Sequence, residues 1–209
     1  VNPPNLREIK SVLINISLIK LDISIFSSHL ILMANFVAIP ITLRDSMQLP
    51  TISHWQVYLT AIFASLFIMV PFIMFGERLK KENLFLILSI LLIMLSQIGL
   101  ALFGLSLNFI IIFLILFFGA FNYLEALLPS KVSKTTQKNT KGTALGVYST
   151  SQFIGIFIGG LAGGFFYQQF GLISVHLFCL FITLLWLLLM LFFSKNENLS
   201  KNELEEEAV

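Results

Sequence analysis

The pattern of hydrophobic and polar positions divides the chain into six long apolar runs. Each run holds about 20 residues with few charges, which is enough helix to cross the ~30 Å hydrocarbon core of a bilayer. The runs are 18–43, 55–75, 84–103, 109–128, 143–167 and 172–193. They are about twice as long as a transmembrane β-strand and lack its strict alternation. Because only helices and closed barrels satisfy every backbone group in lipid, the pattern predicts an all-α membrane protein with six transmembrane helices.

The composition supports this prediction and excludes other classes of protein. Hydrophobic residues make up 57% of the chain and charged residues 11%, with a mean hydropathy of +0.91. An ordinary soluble domain carries about 25% charged residues, so this chain could not cover itself with polar surface. Its net charge of +2 is spread over loops and forms no basic face for nucleic acid. The lipid bilayer is therefore the expected partner, and nucleic acid is not.

Lysine and arginine residues lie almost entirely on one side of the predicted membrane. Eleven of the 13 fall at the chain ends or in the connections after the second and fourth runs, whereas Arg44 lies on the other side and Lys20 near a boundary. Because cytoplasmic loops are enriched in these residues, both termini are predicted to be cytoplasmic. The predicted organisation is a cytoplasmic linker at 1–17, a six-helix bundle at 18–193 and a cytoplasmic acidic tail at 194–209. Position 1 is Val rather than Met, which fits a fragment or a processed product.

Residues typical of membrane enzymes are poorly arranged for catalysis. His29, His54 and His176 are scattered along the chain without the paired spacing of metal ligands. Ser149 and Ser151 lack the Gly-x-Ser-Gly turn expected around an intramembrane serine nucleophile. The sequence therefore predicts no enzyme activity, no metal site and no cofactor.

Polar residues inside the first run are the better guide to function, because each is costly in hydrocarbon and usually faces the bundle interior. His29 lies near the middle of the run, and Asp22 lies seven residues earlier, two helical turns along the same face. An ordinary imidazole pKa near ~6.5 permits proton exchange at physiological pH. We expect His29 and Asp22 to line a proton or substrate pathway, and Asn35 to line it or to hydrogen-bond between helices. Alternatively, Asp22 pairs with Lys20 at the interface and His29 makes a structural hydrogen bond.

Glu125 is the one acidic residue in the last five runs, and Asn122 lies one turn before it on the same face. The carboxylate could accept protons or form part of a cytoplasmic gate. We favour a gate ion pair with Arg78, Lys80 or Lys81, which are predicted on the same side of the membrane. The alternative is a carboxylate at headgroup level that pairs with a loop lysine.

The fifth run contains closely spaced glycines that predict helix packing. They are Gly155, Gly159, Gly160, Gly163 and Gly164. Small residues four apart lie on one side of a helix and let a neighbouring backbone approach closely. Such a seam can also slide or bend.

Several segments together resemble the major facilitator superfamily. Segments 122–134 and 141–153 and the glycine-rich stretch that ends at 171 are similar to the C-terminal half of the YajR-like branch among its drug:proton antiporter-type members, and 29–40 resembles that branch's seventh helix. The superfamily's cytoplasmic loop motif, Gly-x-Leu-Ala-Asp-Arg-x-Gly-Arg, falls on 73–81. Glu77 and Arg78 occupy the positions of its Asp-Arg pair, and Lys81 occupies the position of its last Arg. Ile73 and Lys80 stand in place of its two glycines. A degenerate copy is usual in second halves.

The resemblance implies one half of a twelve-helix carrier, built as an inverted three-plus-three repeat with the substrate site between halves. The expected partners are then the missing N-terminal six-helix half, a small-molecule substrate and protons. The implied activity is proton-coupled efflux across the bacterial inner membrane, with Glu77, Arg78 and Lys81 in a cytoplasmic loop or gate. A self-sufficient six-span homodimeric carrier or channel and an intramembrane enzyme remain as alternatives.

Overall fold

The computed structural model describes the backbone of residues 6–206 and the side chains of residues 9–194. The described elements are α1 (Leu6–Leu13), α2 (Ile16–Ile41), α3 (His54–Arg78), α4 (Glu82–Phe103), α5 (Leu107–Thr135), α6 (Lys141–Phe170) and α7 (Leu172–Glu206). A π-helical turn at Thr42–Ser46 extends α2, and a 3-10 turn at Thr51–Ser53 precedes α3. Within residues 6–206 the structure has no β-strand.

Helices α2 to α7 are each long and apolar enough to span a membrane, which confirms the predicted all-α, six-helix architecture. Several of them continue past the apolar runs, because backbone hydrogen bonding does not stop where polar side chains begin. Helix α5 runs through Pro129 to Thr135, so Lys131 and Lys134 lie on a helix rather than in a loop. The connection to α6 is correspondingly short, at residues 136–140. We call the end of the bundle where α3 and α5 end the basic end.

The chain outside the bundle is only partly described. The predicted linker at 1–17 contains the short helix α1, and residues 1–5 lie outside the described part. The backbone of α7 is helical through most of the predicted acidic tail, but the side chains from 195 onward lie outside the described residues. The domain boundaries at 17 and 194 therefore stay predictions.

Local sequence explains where the helices begin and turn. Helix α2 starts after Asn15, whose side-chain Oδ1 accepts hydrogen bonds from the backbone N–H groups of Ser17 and Leu18 at 3.0 and 3.3 Å. An asparagine in this position satisfies amide groups that the first turn leaves unpaired. Gly171 alone separates α6 from α7 and has a φ of +84°, a left-handed conformation that favours glycine.

Helix pairing follows the symmetry of an inverted repeat. Helix α2 packs along α6 and α7, and α5 packs along α3 and α4, while α4 and α7 contact each other. Exchanging α2 with α5, α3 with α6 and α4 with α7 maps these main contacts onto one another. The first three-helix unit is α2–α4 and the second is α5–α7. The chain crosses the membrane three times between the start of the first unit and the start of the second, so the two units start from opposite sides. This is the inverted three-plus-three arrangement predicted from the resemblance.

Three glycines of α6 form the closest helix contact in the bundle. A Cβ atom built on Gly155, Gly159 or Gly163 would lie 3.1, 2.8 or 3.0 Å from the Cα atoms of Phe26, Leu30 and Ala34, respectively. These distances are too short for carbon atoms, so α2 and α6 can approach this closely only because the side chain is absent. We call these three glycines the glycine seam.

Gly160 and Gly164 are not part of the contact with α2, and their packing against another helix stays a prediction. A Cβ at either position would meet nothing within 4 Å. Residues 160 and 164 lie one position after Gly159 and Gly163, which turns them about 100° around a helix of 3.6 residues per turn. They therefore face away from α2.

Candidate functional site

A buried histidine connects three helices in the interior of the bundle. His29 of α2 is 4% exposed. Its Nε2 lies 2.8 Å from Nε2 of Gln152 on α6, and its Nδ1 lies 3.8 Å from Oε1 of Glu125 on α5. The structure thus brings together two residues that the sequence predicted for a pathway, His29 and Glu125. We call His29, Glu125 and Gln152 the polar junction.

The contacts of His29 are compatible with two protonation states of its ring. When the Gln152 amide donates to Nε2, the neutral ring carries its proton on Nδ1. Nδ1 then faces the backbone carbonyl of Ile25 at 3.2 Å and the Glu125 carboxylate at 3.8 Å. Rotating the glutamine amide by 180° presents its oxygen instead, which would accept a hydrogen bond from the Nε2–H group of a charged ring. Gln152 can therefore satisfy either protonation state of His29.

Glu125 is half-buried and lies at the edge of the polar junction. Its side chain is 37% exposed, yet its Oε1 is buried without a hydrogen-bond partner among the described residues. One carboxylate oxygen thus faces His29 while part of the group remains accessible. The 3.8 Å separation exceeds the roughly 2.6–3.2 Å of a direct proton transfer, so exchange between the carboxylate and the imidazole requires a closer approach or a bridging water molecule.

The gate ion pair that we favoured for Glu125 is not present. Among the described side chains, its basic partner within 4 Å is His29 rather than Arg78, Lys80 or Lys81. The physical reason is depth, since Glu125 lies three turns before the end of α5 and the basic connection lies beyond the helix ends.

Asp22 extends the polar surface from the junction toward the basic end. It is half-buried on α2. Tyr148, one turn before Gln152 on α6, is also buried on this side of the junction. On the other side, the Phe121 ring packs on the imidazole of His29 with centroids 5.1 Å apart. Polar groups therefore continue in one direction from His29 while an aromatic ring covers it in another.

Asn122 contributes to a second polar contact that is related to the first by the repeat symmetry. Its Nδ2 donates to Oγ of the buried Ser65 on α3 at 3.2 Å. This bond joins α5 to α3, just as the bond between His29 and Gln152 joins α2 to α6. Asn122 therefore lies at a contact between the two three-helix units rather than in the polar junction.

Asn35 does not make the interhelical hydrogen bond that was one of its two predicted roles. It is 3% exposed, and neither its amide nitrogen nor its oxygen has a hydrogen-bond partner among the described residues. The residue packs beside the glycine seam, one position after Ala34 on α2. A pathway role for Asn35 stays a prediction.

Two features of the interior were missed from the sequence. Gln152 was not predicted as a site residue, although it is a rare amide within an apolar helix. His176 of α7 lies 3.4 Å from Oε1 of Gln97 on α4, and both residues are buried. Searching for polar residues at matching depth on different spans would have found both.

The connection between α3 and α4 forms a tight turn although both glycines of the loop motif are replaced. The N–H of Lys80 donates to the carbonyl of Glu77, and the N–H of Lys81 donates to the carbonyl of Gly76, each at 3.1 Å. This pair of bonds is the Schellman arrangement, which places the residue after the helix cap in the left-handed region. Lys80 occupies that position with a φ of +54°. Glu77, Arg78 and Lys81 are all exposed.

Among the residues that the structure describes, no three His, Cys, Asp or Glu side chains are grouped closely enough to hold a metal ion. What the polar junction offers is proton exchange between a carboxylate and an imidazole, at the meeting point of three helices.

The chain is similar in sequence to a known protein family and to several of its members. Residues 21–209 match the model of the Major Facilitator Superfamily. The chain is 39% identical over 172 residues to the Inner membrane transport protein YajR of Escherichia coli (strain K12), which covers 81% of this chain and 37% of that protein. An uncharacterized transporter of Buchnera aphidicola subsp. Baizongia pistaciae is 32% identical over 176 residues, which covers 84% of this chain and 45% of that protein. The chain thus spans less than half the length of these relatives.

Proposed function

The chain belongs to the major facilitator superfamily, and we propose that it forms the C-terminal half, helices seven to twelve, of a twelve-helix exporter. It is a multi-pass membrane protein and a secondary transporter rather than an enzyme. In the proposal, the carrier exports small molecules across the bacterial inner membrane in exchange for protons. The name of the Escherichia coli relative, Inner membrane transport protein YajR, supports this location.

Exposed apolar faces support a second six-helix half as the partner. Helices α3 and α6 are the least buried of the six spans. Phe63 and Phe67 lie one turn apart on α3 and are 61% and 85% exposed, and Phe153 and Phe157 on α6 are each 66% exposed. A second bundle would cover these rings. Because the relatives are more than twice as long as the matched region, we propose a distinct N-terminal half rather than a second copy.

The single observation that carries the proton coupling is the 3.8 Å approach of Nδ1 of His29 to Oε1 of Glu125. Protonating one member changes the charge between α2 and α5, and Gln152 can follow by turning its amide. When protonation changes the charge of the junction, it favours one conformation of the carrier over the other. Coupling of proton movement to transport requires such a bias. Substrate release and proton uptake at this junction would then favour opposite conformations.

The proposal is tested in everted membrane vesicles that contain the intact carrier. A panel of apolar fluorescent dyes, including ethidium, is offered under an imposed pH gradient. We expect dye transport that stops when nigericin collapses the gradient, and at least tenfold slower transport in His29→Ala and Glu125→Gln. His54→Gln and Asp45→Asn are the matched controls, because these residues lie at the opposite end of the bundle from the basic end, away from the polar junction, and should leave transport unchanged.

Three outcomes contradict the proposal. Transport of no dye in the panel argues against export of apolar small molecules, and transport that ignores the gradient argues against proton coupling. Normal transport by both His29→Ala and Glu125→Gln at equal expression removes the polar junction from the mechanism. A six-helix homodimer is distinguished separately, by cysteine cross-linking at positions 67 and 157, because cross-links between identical chains are expected only of the homodimer.

A further inference from the structure

A large cavity lies at the basic end of the bundle, outside the polar junction. It has a volume of about 620 Å³ and opens between the start of α2, the start of α4, the end of α5 and residues 190–194 of α7. None of His29, Glu125 and Gln152 lines it. The proposed transport mechanism therefore leaves this cavity without a role.

The polar wall of the cavity is positively charged. Lys20, Lys131 and Lys134 line it, and Glu82 is the one carboxylate among its described lining residues. Lys131 and Lys134 share Glu82, so this group of three side chains carries one positive charge in excess. Glu82 lies 3.5 Å from Nζ of Lys131 and 3.4 Å from Nζ of Lys134, and it cannot neutralise both. Lys131 is held further by the side chain of Asn83, whose Oδ1 accepts a hydrogen bond from Nζ at 2.5 Å. Two of the ammonium groups are thus fixed beside each other at the start of α4.

The remaining wall is apolar and reaches the surface that faces lipid. Leu84 of α4 and Leu191 of α7 both line the cavity and are each 48% exposed. Ile87 and Met190 continue this wall inward. A ligand that fits must therefore carry negative charge at one end and hydrocarbon at the other. A soluble anion would use the lysines but leave the apolar wall in contact with water.

We propose that this cavity binds the phosphate headgroup of an anionic phospholipid such as phosphatidylglycerol, with an acyl chain along Leu84 and Leu191. Lys131 and Lys134 would contact the phosphate, and Lys20 would add attraction from α2. Basic pockets between transmembrane helices are suited to such headgroups. The proposal requires that the helices lie in a bilayer, but it does not depend on transport or on the polar junction.

The test measures lipid binding to the intact carrier in detergent by native mass spectrometry. We expect the protein to bind phosphatidylglycerol at least fivefold more tightly than phosphatidylcholine. The double variant Lys131→Gln/Lys134→Gln should lose at least fivefold of that affinity. Lys138→Gln/Lys141→Gln is the matched control, because it removes the same charge from the same region without touching the cavity, and its affinity should change less than twofold.

A further variant separates charge from folding. Glu82→Gln removes both ion pairs but raises the positive charge of the cavity, so affinity for phosphatidylglycerol should increase at least twofold. A decrease would mean that the lysines act by holding the fold. Equal affinity for the two lipids, equal losses in the two lysine double variants, or displacement of the lipid by 5 mM inorganic phosphate would each overturn the proposal. Because binding is read without transport, its failure leaves the proposed exporter function untouched.

Discussion

The glycine seam predicts that alanine substitutions at two adjacent positions, Gly159 and Gly160, have different effects on the stability of the protein. A Cβ at Gly159 would lie 2.8 Å from Cα of Leu30 and would also collide with the carbonyl oxygen of that residue. Carbon atoms normally approach to about 3.5–4.0 Å, so Gly159→Ala must move α2 and α6 apart by roughly 1 Å. At Gly160 the same methyl group meets nothing within 4 Å.

The displacement has an energetic and a functional consequence. Overpacking of this kind costs about 1–3 kcal/mol, whereas Gly160→Ala should be neutral or should stabilise by up to ~1 kcal/mol through helix propensity. The bond between His29 and Gln152 is 2.8 Å long and lies on the same pair of helices. A separation of roughly 1 Å would take it beyond hydrogen-bond range. Gly159→Ala should therefore also slow transport.

The assay is thermal unfolding of the intact carrier in detergent, followed by dye transport in vesicles for both variants. We expect a lower unfolding temperature and slower transport for Gly159→Ala, and wild-type or better values for Gly160→Ala. Equal effects of the two substitutions would refute the reasoning, because backbone propensity rather than contact with α2 would then dominate.

Three further substitutions test single features of the fold. Lys80→Gly should raise the free energy of unfolding by about 0.5–1 kcal/mol, since glycine tolerates the left-handed φ of +54°; a lower unfolding temperature would show that this turn is not strained. Asn35→Leu should leave stability unchanged or increase it, because the buried amide has no described partner, and a clear loss in the thermal assay would reveal an unseen hydrogen bond. Gln152→Leu should destabilise by about 1–3 kcal/mol by leaving the His29 ring unpaired, whereas wild-type stability would mean that this bond contributes little.

The number and type of helices could be predicted because membrane burial imposes a simple rule on each span. A run of about 20 apolar residues is sufficient information, and no knowledge of neighbouring helices is needed. The ends were less predictable, since α5 continues through Pro129. A proline ring blocks a hydrogen bond but does not force a membrane helix to end there.

Partners across helices could be predicted only in part, because they depend on how each helix is rotated. His29 and Glu125 were both candidates from the sequence, but their mutual contact was not predicted, and Glu125 was expected to pair with a basic residue at the end of α3 or in the connection after it. Gly159 and Gly160 are identical residues at adjacent positions, yet Gly159 contacts α2 and Gly160 does not. A pattern of single residues cannot resolve a rotation of about 100° without the neighbouring helix.

Membrane topology gives the most direct test of the central claim that six helices span the membrane with the basic end in the cytoplasm. Single cysteines replace Lys138 or Ser106 in a Cys179→Ser background, and a membrane-impermeant maleimide is applied to intact cells and to everted vesicles. We expect position 138 to react only in everted vesicles and position 106 only in intact cells. Labelling of position 138 from outside the intact cell would contradict the orientation and the proposed transport mechanism that depends on it.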